Sequence, residues 1–542
     1  MDRNNSWWKH GVIYQIYPRS FMDSNHDGIG DLNGIRSRLD YLAWLGVDAI
    51  WISPIYPSPN VDFGYDITDH CAVDPLFGNL AEFDALVSEA HTRNIHIIMD
   101  LVLAHTSDQH PWFIHACQSR DNPFHDYFIW ADPRPGNKPP NNWQSIIGGS
   151  YWKFQPNCGQ YFGHMFYPQQ PDLNWYNPAV REEVHKIFKF WLDRDVDGFR
   201  LDVFSSYFKD DQLRNQPFTL GRRPFEWQKH IYDHNQPALD DALRSIRGLV
   251  DQYPGRYLVG EPFLPNPVSS ARYVRPDMLH SAFHLEFLMV PWNPARMLAS
   301  IQAWESALQP ETWPCHVLNN HDVPRSASRF GGGKKDARLK AAAAMLLTLR
   351  GTPYLYYGEE IGQRDIQLRR DQILDPVGRH YWPLYRGRDF ARAPMQWNNS
   401  SLAGFSTVAP WLPVHPDYIT RNVQSQQDDP NSLLNWYRLL IKLRRETPAL
   451  PEGMFQPIHY ASSRLLAYLR QTTNQTVLVA LNFSRRPVYL HLGAELLREN
   501  WRLLASSDPD RRDIETTRGR IRLNAEEALL LISENGEKQV PG

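Results

Sequence analysis

The sequence predicts a (β/α)8 barrel with a small domain inserted after its third strand and a separate β-sandwich at its C-terminus. Three observations carry this expectation. Short apolar runs rich in β-forming residues alternate with amphipathic helical stretches until eight strands are counted, which implies βαβ units and a parallel sheet. Two long segments rich in Pro and polar residues interrupt the alternation. After about residue 455 the helical period gives way to short strands. At 542 residues the chain is also too long for one compact core.

The expected barrel strands are 12–17, 49–53, 95–99, 196–201, 256–259, 281–283, 316–318 and 353–357, with helical stretches such as 32–45 and 80–93 between them. No Gly-rich dinucleotide turn follows the first strand, which argues against an open doubly wound sheet. The barrel is expected over 1–105 and 179–454, with the inserted domain at 106–178 and an excursion at 362–430 over the barrel mouth. The sandwich is expected over 455–542, with strands near 464–469, 476–481 and 527–532.

Hydrophobic residues make up 42% and charged residues 22%, and 57 basic against 60 acidic residues leave a net charge of -3. This lacks the basic footprint of a nucleic-acid binder. The longest apolar stretch, 341–349, is far shorter than the ~20 residues a membrane helix requires. No apolar signal core is visible near the start, so a cytoplasmic location is expected. The four cysteines, Cys71, Cys117, Cys158 and Cys315, are scattered without a CxxC pair, as expected of reduced thiols. Aromatic residues reach 13%, including 19 Trp, a composition that serves sugar faces and a large core equally well.

In such a barrel, chemistry sits where strands end and loops begin. The third strand runs into Asp100-Leu-Val-Leu-Ala-His105, the fourth into Asp197-Gly-Phe-Arg-Leu-Asp202, the fifth into Val259-Gly-Glu261 and the seventh into Leu318-Asn-Asn-His-Asp322. One acid at a strand end is commonly a helix cap or an ion-pair member. Asp202, Glu261 and Asp322 delivered to one rim with Arg200, His105 and His321 point instead to acid–base chemistry.

These segments resemble the four short conserved regions of the α-amylase clan, glycoside hydrolase family 13, and the likeness spans nearly the whole chain. Gln170-Pro-Asp-Leu-Asn174 and Arg392-Ala-Pro-Met-Gln-Trp397 are similar to its exo-acting α-glucosidase and oligo-1,6-glucosidase branch. The resemblance implies that Asp202 is the nucleophile, Glu261 the general acid/base and Asp322 the third acid, which holds sugar hydroxyls. It further implies that His105 and His321 donate to the sugar, that Tyr65 stacks beneath it, and that Asp62 and Arg392 clamp its far end. Phe166 is a candidate stacking residue, whereas Trp51 is read as core packing. Arg200, two residues before Asp202 and on the same strand face, is expected to keep it ionised, while neighbouring acids should raise the pKa of Glu261.

The implied substrates are short α-glucosides, and no cofactor is implied for catalysis. Transglucosylation and sucrose or maltose isomerisation use the same residues and stay open. Val203, directly after the nucleophile, favours α-1,6 bonds in this branch, whereas Gly260-Glu-Pro-Phe-Leu-Pro265 is closer to α-1,4-acting maltases. A non-catalytic transporter heavy-chain-like domain is disfavoured, because all three acids are present. The family's Asn before its first-region His is Ala104 here, which argues against calcium at that place. A second loop, Asp23-Ser-Asn-His-Asp-Gly-Ile-Gly-Asp31, spaces Asp23, Asn25, Asp27, the Ile29 carbonyl and Asp31 like the first half of a calcium loop, but Gly34 replaces the bidentate Glu. A structural Ca²⁺ or Mg²⁺ is expected there, holding the loop and taking no part in catalysis.

Overall fold

A computed structural model describes residues 6–534, apart from 265, 332–335, 459–462, 515 and 518. Pro265, the last residue of the maltase-like stretch, therefore lies outside the described residues. Eight parallel strands close a barrel: β1 (Ile13–Ile16), β2 (Ala49–Ile52), β3 (His96–Leu101), β4 (Gly198–Leu201), β5 (Tyr257–Gly260), β6 (Ser281–His284), β7 (Cys315–Val317) and β8 (Thr352–Tyr356). β1 seals it against β8, with Ile13 beside Tyr354. Each strand lies within two residues of its expected position, because strands buried on both faces read as near-continuous apolar runs.

Two apolar layers follow from the alternation of side chains along these strands. Ile13, Trp51, Ile98, Val259, Phe283, Val317 and Tyr354 fill one cluster, and residues such as Ile50, Ile97, Phe199 and Leu258 pack in another with the surrounding helices. Those helices carry local start signals. Helix Leu80–Thr92 opens on a capping box between Asn79 and Glu82, and helix Pro178–Leu192 on an Asn177 cap with Pro at its first position.

The segment after β3 contains a three-stranded sheet, with Gln160–Gly163 between Trp130–Ala131 and Trp152–Gln155. A bridge from His105 to Asp172 ties it to the barrel rim, and one from Phe128 to Leu173 lies within the inserted segment. The excursion after β8 is built of short helical turns and irregular chain. Beyond helix Leu433–Glu446, a five-stranded sheet faces a three-stranded one. Strands Leu465–Gln471 and Gln475–Asn482 are buried on both faces. One face meets the second sheet through Leu469, Leu478 and Leu490, and the other joins the barrel's helical layer through Tyr468 and Val477.

Candidate functional site

The sheet register gathers the site. Arg200 on β4 lies beside Asp100 on β3 and Val259 on β5. Leu201 pairs with Gly260, so Asp202 and Glu261 leave adjacent strands at the same level. Gly260 must lack a side chain, since a Cβ there would stand 2.6 Å from both Leu279 and Phe204. Immediately after Asp202 the chain turns sharply. Val203 adopts φ 38, a left-handed conformation that a β-branched residue rarely accepts, and Phe204 N–H donates to the Glu261 carbonyl.

Arg200 is 1% exposed and binds three carboxylates. Its Nη1 donates to Asp100 Oδ1 at 2.6 Å and to Asp202 Oδ1 at 2.5 Å, and its Nη2 donates to Glu261 Oε2. Burial lowers the guanidinium's proton affinity, but Asp100, Glu261 and Asp202 more than offset it, so Arg200 stays charged. The carboxylates feel the reverse balance. Burial pushes Asp202 up to about 6 against the pull of Arg200. It pushes Glu261 further, to about 7, with Asp202 and Asp322 adding to the rise. The expected order, Glu261 above Asp202, is present. Arg200 alone does not hold Asp202 in the ordinary carboxylate range, because removal from water outweighs one shared cation.

Asp322 stands opposite. Burial would raise it, but the charges of Arg392 and Arg388 outweigh that loss of water and hold it below the usual range. His321 is neutral, lowered to about 3 by burial. Gln15 Nε2 lies 2.9 Å from its Nδ1, which assigns the ring proton to Nε2, 2.8 Å from Tyr65 Oη and 3.2 Å from Asp322 Oδ2. Tyr65 lies parallel to this ring at 5.4 Å and donates to Asp100 Oδ2. His105 directs Nε2 to the Tyr65 carbonyl at 3.0 Å, and Phe166 packs 5.2 Å from its ring.

Asp202, Glu261, Asp322, His321, Tyr65, His105 and Phe166 line a cavity of about 270 Å³ with Asp62, Val203, Phe263, Val377, Tyr385 and Arg388, and Arg200 lies behind that lining. Arg392 is absent from that lining, which corrects the expected clamp. The partner of Asp62 is Arg388, whose Nη2 lies 2.5 Å from Asp62 Oδ1 and whose Nε binds Asp375 at 2.9 Å. Arg392 is buried one helical turn further on. It donates to Asp322 Oδ1 and to the His321 carbonyl, both at 2.9 Å, and so backs the third acid. Trp51 is fully buried beneath Arg200, as its core reading expects. Sequence reasoning missed Arg388, Asp375 and a role for Asp100. The run Arg386, Arg388, Arg392 signalled a cation but not which one turns inward.

Beside Ala104, Lys209 Nζ lies 3.2 Å from Asp172 Oδ2, and both are buried. A fixed ammonium thus neutralises a carboxylate at the junction with the inserted domain. In the 23–31 loop, Asp23 accepts from the His26 and Gly28 N–H groups and from Ser406 Oγ, and Asp31 accepts from Ser24 and caps the next helix at Gly34. Asn25 and the carboxylates of Asp23, Asp27 and Asp31 share this tight turn, with Gly28 at φ 89. Asp23 Oδ1, Asp27 Oδ1 and Asp31 Oδ2 each accept one N–H bond and keep a lone pair that suits a hard cation, whereas Asp23 Oδ2 and Asp31 Oδ1 each already accept two hydrogen bonds. Among the described residues, however, no three His, Cys, Asp or Glu side chains are gathered as a metal-holding group.

A family model of the α-amylase catalytic domain matches residues 15–453, and one of the maltogenic amylase C-terminal domain matches residues 455–511. The chain is 42% identical to a probable α-glucosidase of Rhizobium meliloti (strain 1021), covering 89% of this chain and 90% of that one. It is 39% identical to an oligo-1,6-glucosidase of Parageobacillus thermoglucosidasius, covering 92% and 94%. Among solved structures, an α-glucosyl transfer enzyme, XgtA, superposes with a TM-score of 0.91 at 40% identity, covering 97% of this chain and 99% of that one. The trehalulose synthase MutB from Pseudomonas mesoacidophila MX-45 gives 0.90 at 34% identity, covering 98% and 99%. Fold, site and comparisons agree that the chain belongs to the α-amylase family of glycoside hydrolases, glycoside hydrolase family 13.

Proposed function

We propose that the chain is a retaining, exo-acting α-glucosidase that releases glucose from the non-reducing end of short α-glucosides. One observation carries the reading. Asp202 and Glu261 share Arg200 at the floor of a pocket that the Asp62–Arg388 pair closes at one side. A closed pocket takes a terminal sugar. Two carboxyls side by side, the second pushed up further than the first, suit double displacement. Asp202 attacks C1 while Glu261 gives its proton to the departing glycosidic oxygen. Water then attacks C1, Glu261 takes the proton, and the Asp202 carboxylate leaves. NMR of the first turnovers on p-nitrophenyl α-glucoside, whose leaving group is not a sugar, tests this: the glucose released should be the α-anomer, and β-anomer appearing first overturns the mechanism.

A second reading, glucosyl transfer or isomerisation, is supported by the likeness to XgtA and MutB. Product analysis on sucrose, maltose and isomaltose separates it from hydrolysis, and the maltose-to-isomaltose rate ratio settles the linkage that Val203 leaves open. The three acids in one pocket speak against a non-catalytic role. The 23–31 loop is read as a structural Ca²⁺ or Mg²⁺ site on its ligand spacing; an unchanged melting temperature on chelation, with no metal in the purified protein, would remove it. A cytoplasmic location is supported by four unpaired thiols, two of them buried. Among the described residues no helix is long and apolar enough to cross a membrane.

A further inference from the structure

A second cavity opens at the end of the barrel opposite the catalytic rim. Its lining comes from residues that precede strands: Trp8, Lys9 and His10 before β1, His280 before β6, and Thr312 and Trp313 before β7. Arg247, from helix Leu239–Val250, and Arg275, after helix Pro267–Ala271, join them. The cavity measures about 790 Å³, against about 270 Å³ for the catalytic pocket. That is the size of a site for a small organic ligand.

The cavity holds donors that have no acceptor among the described residues. His280 accepts the Leu258 N–H on Nδ1 at 3.0 Å, which puts the ring proton on Nε2, and that N–H has no partner among them. Burial, with the charges of Arg247 and Lys9 added, lowers this histidine to about 3, so it donates as a neutral ring. Lys9 makes no ion pair among the described residues, and its ammonium stands 5.5 and 5.6 Å from the ring centres of Trp8 and Trp313. Arg275 makes neither an ion pair nor a side-chain hydrogen bond among them; Asp277, two residues on, is bound instead by Arg244 at 2.8 Å. Arg247 is fixed by Asp251 at 2.7 Å and by the Met278 carbonyl at 3.1 Å, which leaves its Nη2 unengaged among the described residues.

Acceptors are fewer. Glu311 and Glu452 are exposed, and Glu452 already faces His10 at 3.6 Å. Thr312 Oγ gives its proton to the Gln309 carbonyl at 2.7 Å and so offers only lone pairs. Three cations and a neutral N–H against these groups favour an anion. A phosphoryl group matches them, since each of its oxygens accepts several charge-assisted hydrogen bonds. A bare ion would leave most of the volume empty. Sugar hydroxyls would satisfy Glu311 and Thr312, and Trp8, Val274, Leu279 and Trp313 supply apolar lining for the C–H face of a ring.

We propose that this cavity is a second, non-catalytic site that binds a phosphorylated sugar. Lys9, Arg247, Arg275 and the His280 N–H hold the phosphoryl group, and Glu311 and Thr312 accept from the hydroxyls.

Isothermal titration calorimetry of the full chain at low ionic strength tests it, with glucose 6-phosphate, inorganic phosphate and glucose as probes. Glucose 6-phosphate should bind at least about tenfold tighter than inorganic phosphate, because only the ester fills both halves of the site. Lys9→Met and Arg275→Met should each weaken it about threefold, the scale of a partly exposed ion pair, and together about tenfold. Glucose binding should not change in these variants. Their kcat on p-nitrophenyl α-glucoside should stay that of the wild type, which shows that they are folded, and either single variant serves if the pair is not. Absence of glucose 6-phosphate binding overturns the proposal, as does inorganic phosphate bound as tightly as the ester. Binding that none of the variants weakens also overturns it, since the ligand then sits elsewhere, as in the catalytic pocket.

Discussion

Two buried sites in this molecule hold arginine in opposite company. Arg200 lies among Asp100, Asp202 and Glu261, with its charge matched more than once over. Arg444 and Arg470, at the seam between barrel and C-terminal sheets, are fully buried, and among the described residues they bind carbonyl oxygens. Arg444 donates to the Leu347, Leu349 and Gly351 carbonyls, and Arg470 to those of Thr348 and Gly453. All but the Gly453 carbonyl lie at or just beyond the C-terminal end of helix Ala337–Thr348, where the helix leaves acceptors without partners and carries partial negative charge. Burial pulls the two guanidinium groups down to about 10 and 9. The difference separates two uses of a buried cation. At the seam it completes hydrogen bonds that folding would otherwise leave open. At the pocket it holds carboxylates together that folding alone would drive apart.

Removing a pocket carboxylate should therefore abolish turnover without unfolding the protein. Asp202→Asn should lower kcat by about 10⁴-fold or more, and Glu261→Gln by about 10³-fold, as loss of a nucleophile or proton donor does in comparable enzymes. Melting temperatures should stay level or rise. Steady-state kinetics beside thermal unfolding decides this, and near-normal turnover in either purified variant contradicts the assigned roles.

The same contrast explains what the sequence could disclose. Asp202, Glu261 and Asp322 were legible because the first two follow directly on an apolar strand and the third lies five residues beyond one, so their positions are local information. Arg200 was legible for the same reason, two residues before Asp202. The partner of Asp62 was not, since Arg388 stands 326 residues away in an irregular excursion whose turns have no period. Arg392, four residues later, carried the recognisable motif but faces the back of Asp322. The barrel strands were legible as apolar runs, whereas the two-residue strand Trp130–Ala131 is too short to stand out. The seam was invisible: nothing local to Arg444 or Arg470 shows that carbonyls from a distant helix end will be among their partners.

At the seam the expected loss is one of stability. Arg470→Met keeps the apolar stem but leaves the Thr348 and Gly453 carbonyls unpaired in a buried place. Hydrogen bonds from a charged donor put the cost at about 2–4 kcal/mol. Denaturant unfolding should show it, while kcat per folded molecule stays that of the wild type. A fall in kcat at constant folded fraction would mean that the seam is coupled to the pocket after all.

The smallest effect is a dependence on pH that the pocket should show and the seam should not. With Asp202 at about 6 and Glu261 at about 7, the productive form, one ionised and one protonated, is most populated between those values. The profile of kcat/KM should be a narrow bell, falling roughly tenfold per pH unit on either side. Stability should run against it. Both carboxyls stand above their ordinary values, so this pair binds more protons in the folded protein than in the unfolded chain between pH 4 and 7. Rising pH through that window therefore lowers the pair's own contribution to stability, and that loss persists above it. Glu261→Gln removes one of these protons, so its melting temperature should hold up better than the wild type's from pH 5 to 8, by about one to two degrees. Arg444 and Arg470 remain charged throughout that range and add no slope. Parallel melting curves for wild type and Glu261→Gln would show that the pocket's charges are not held against the preference of the fold.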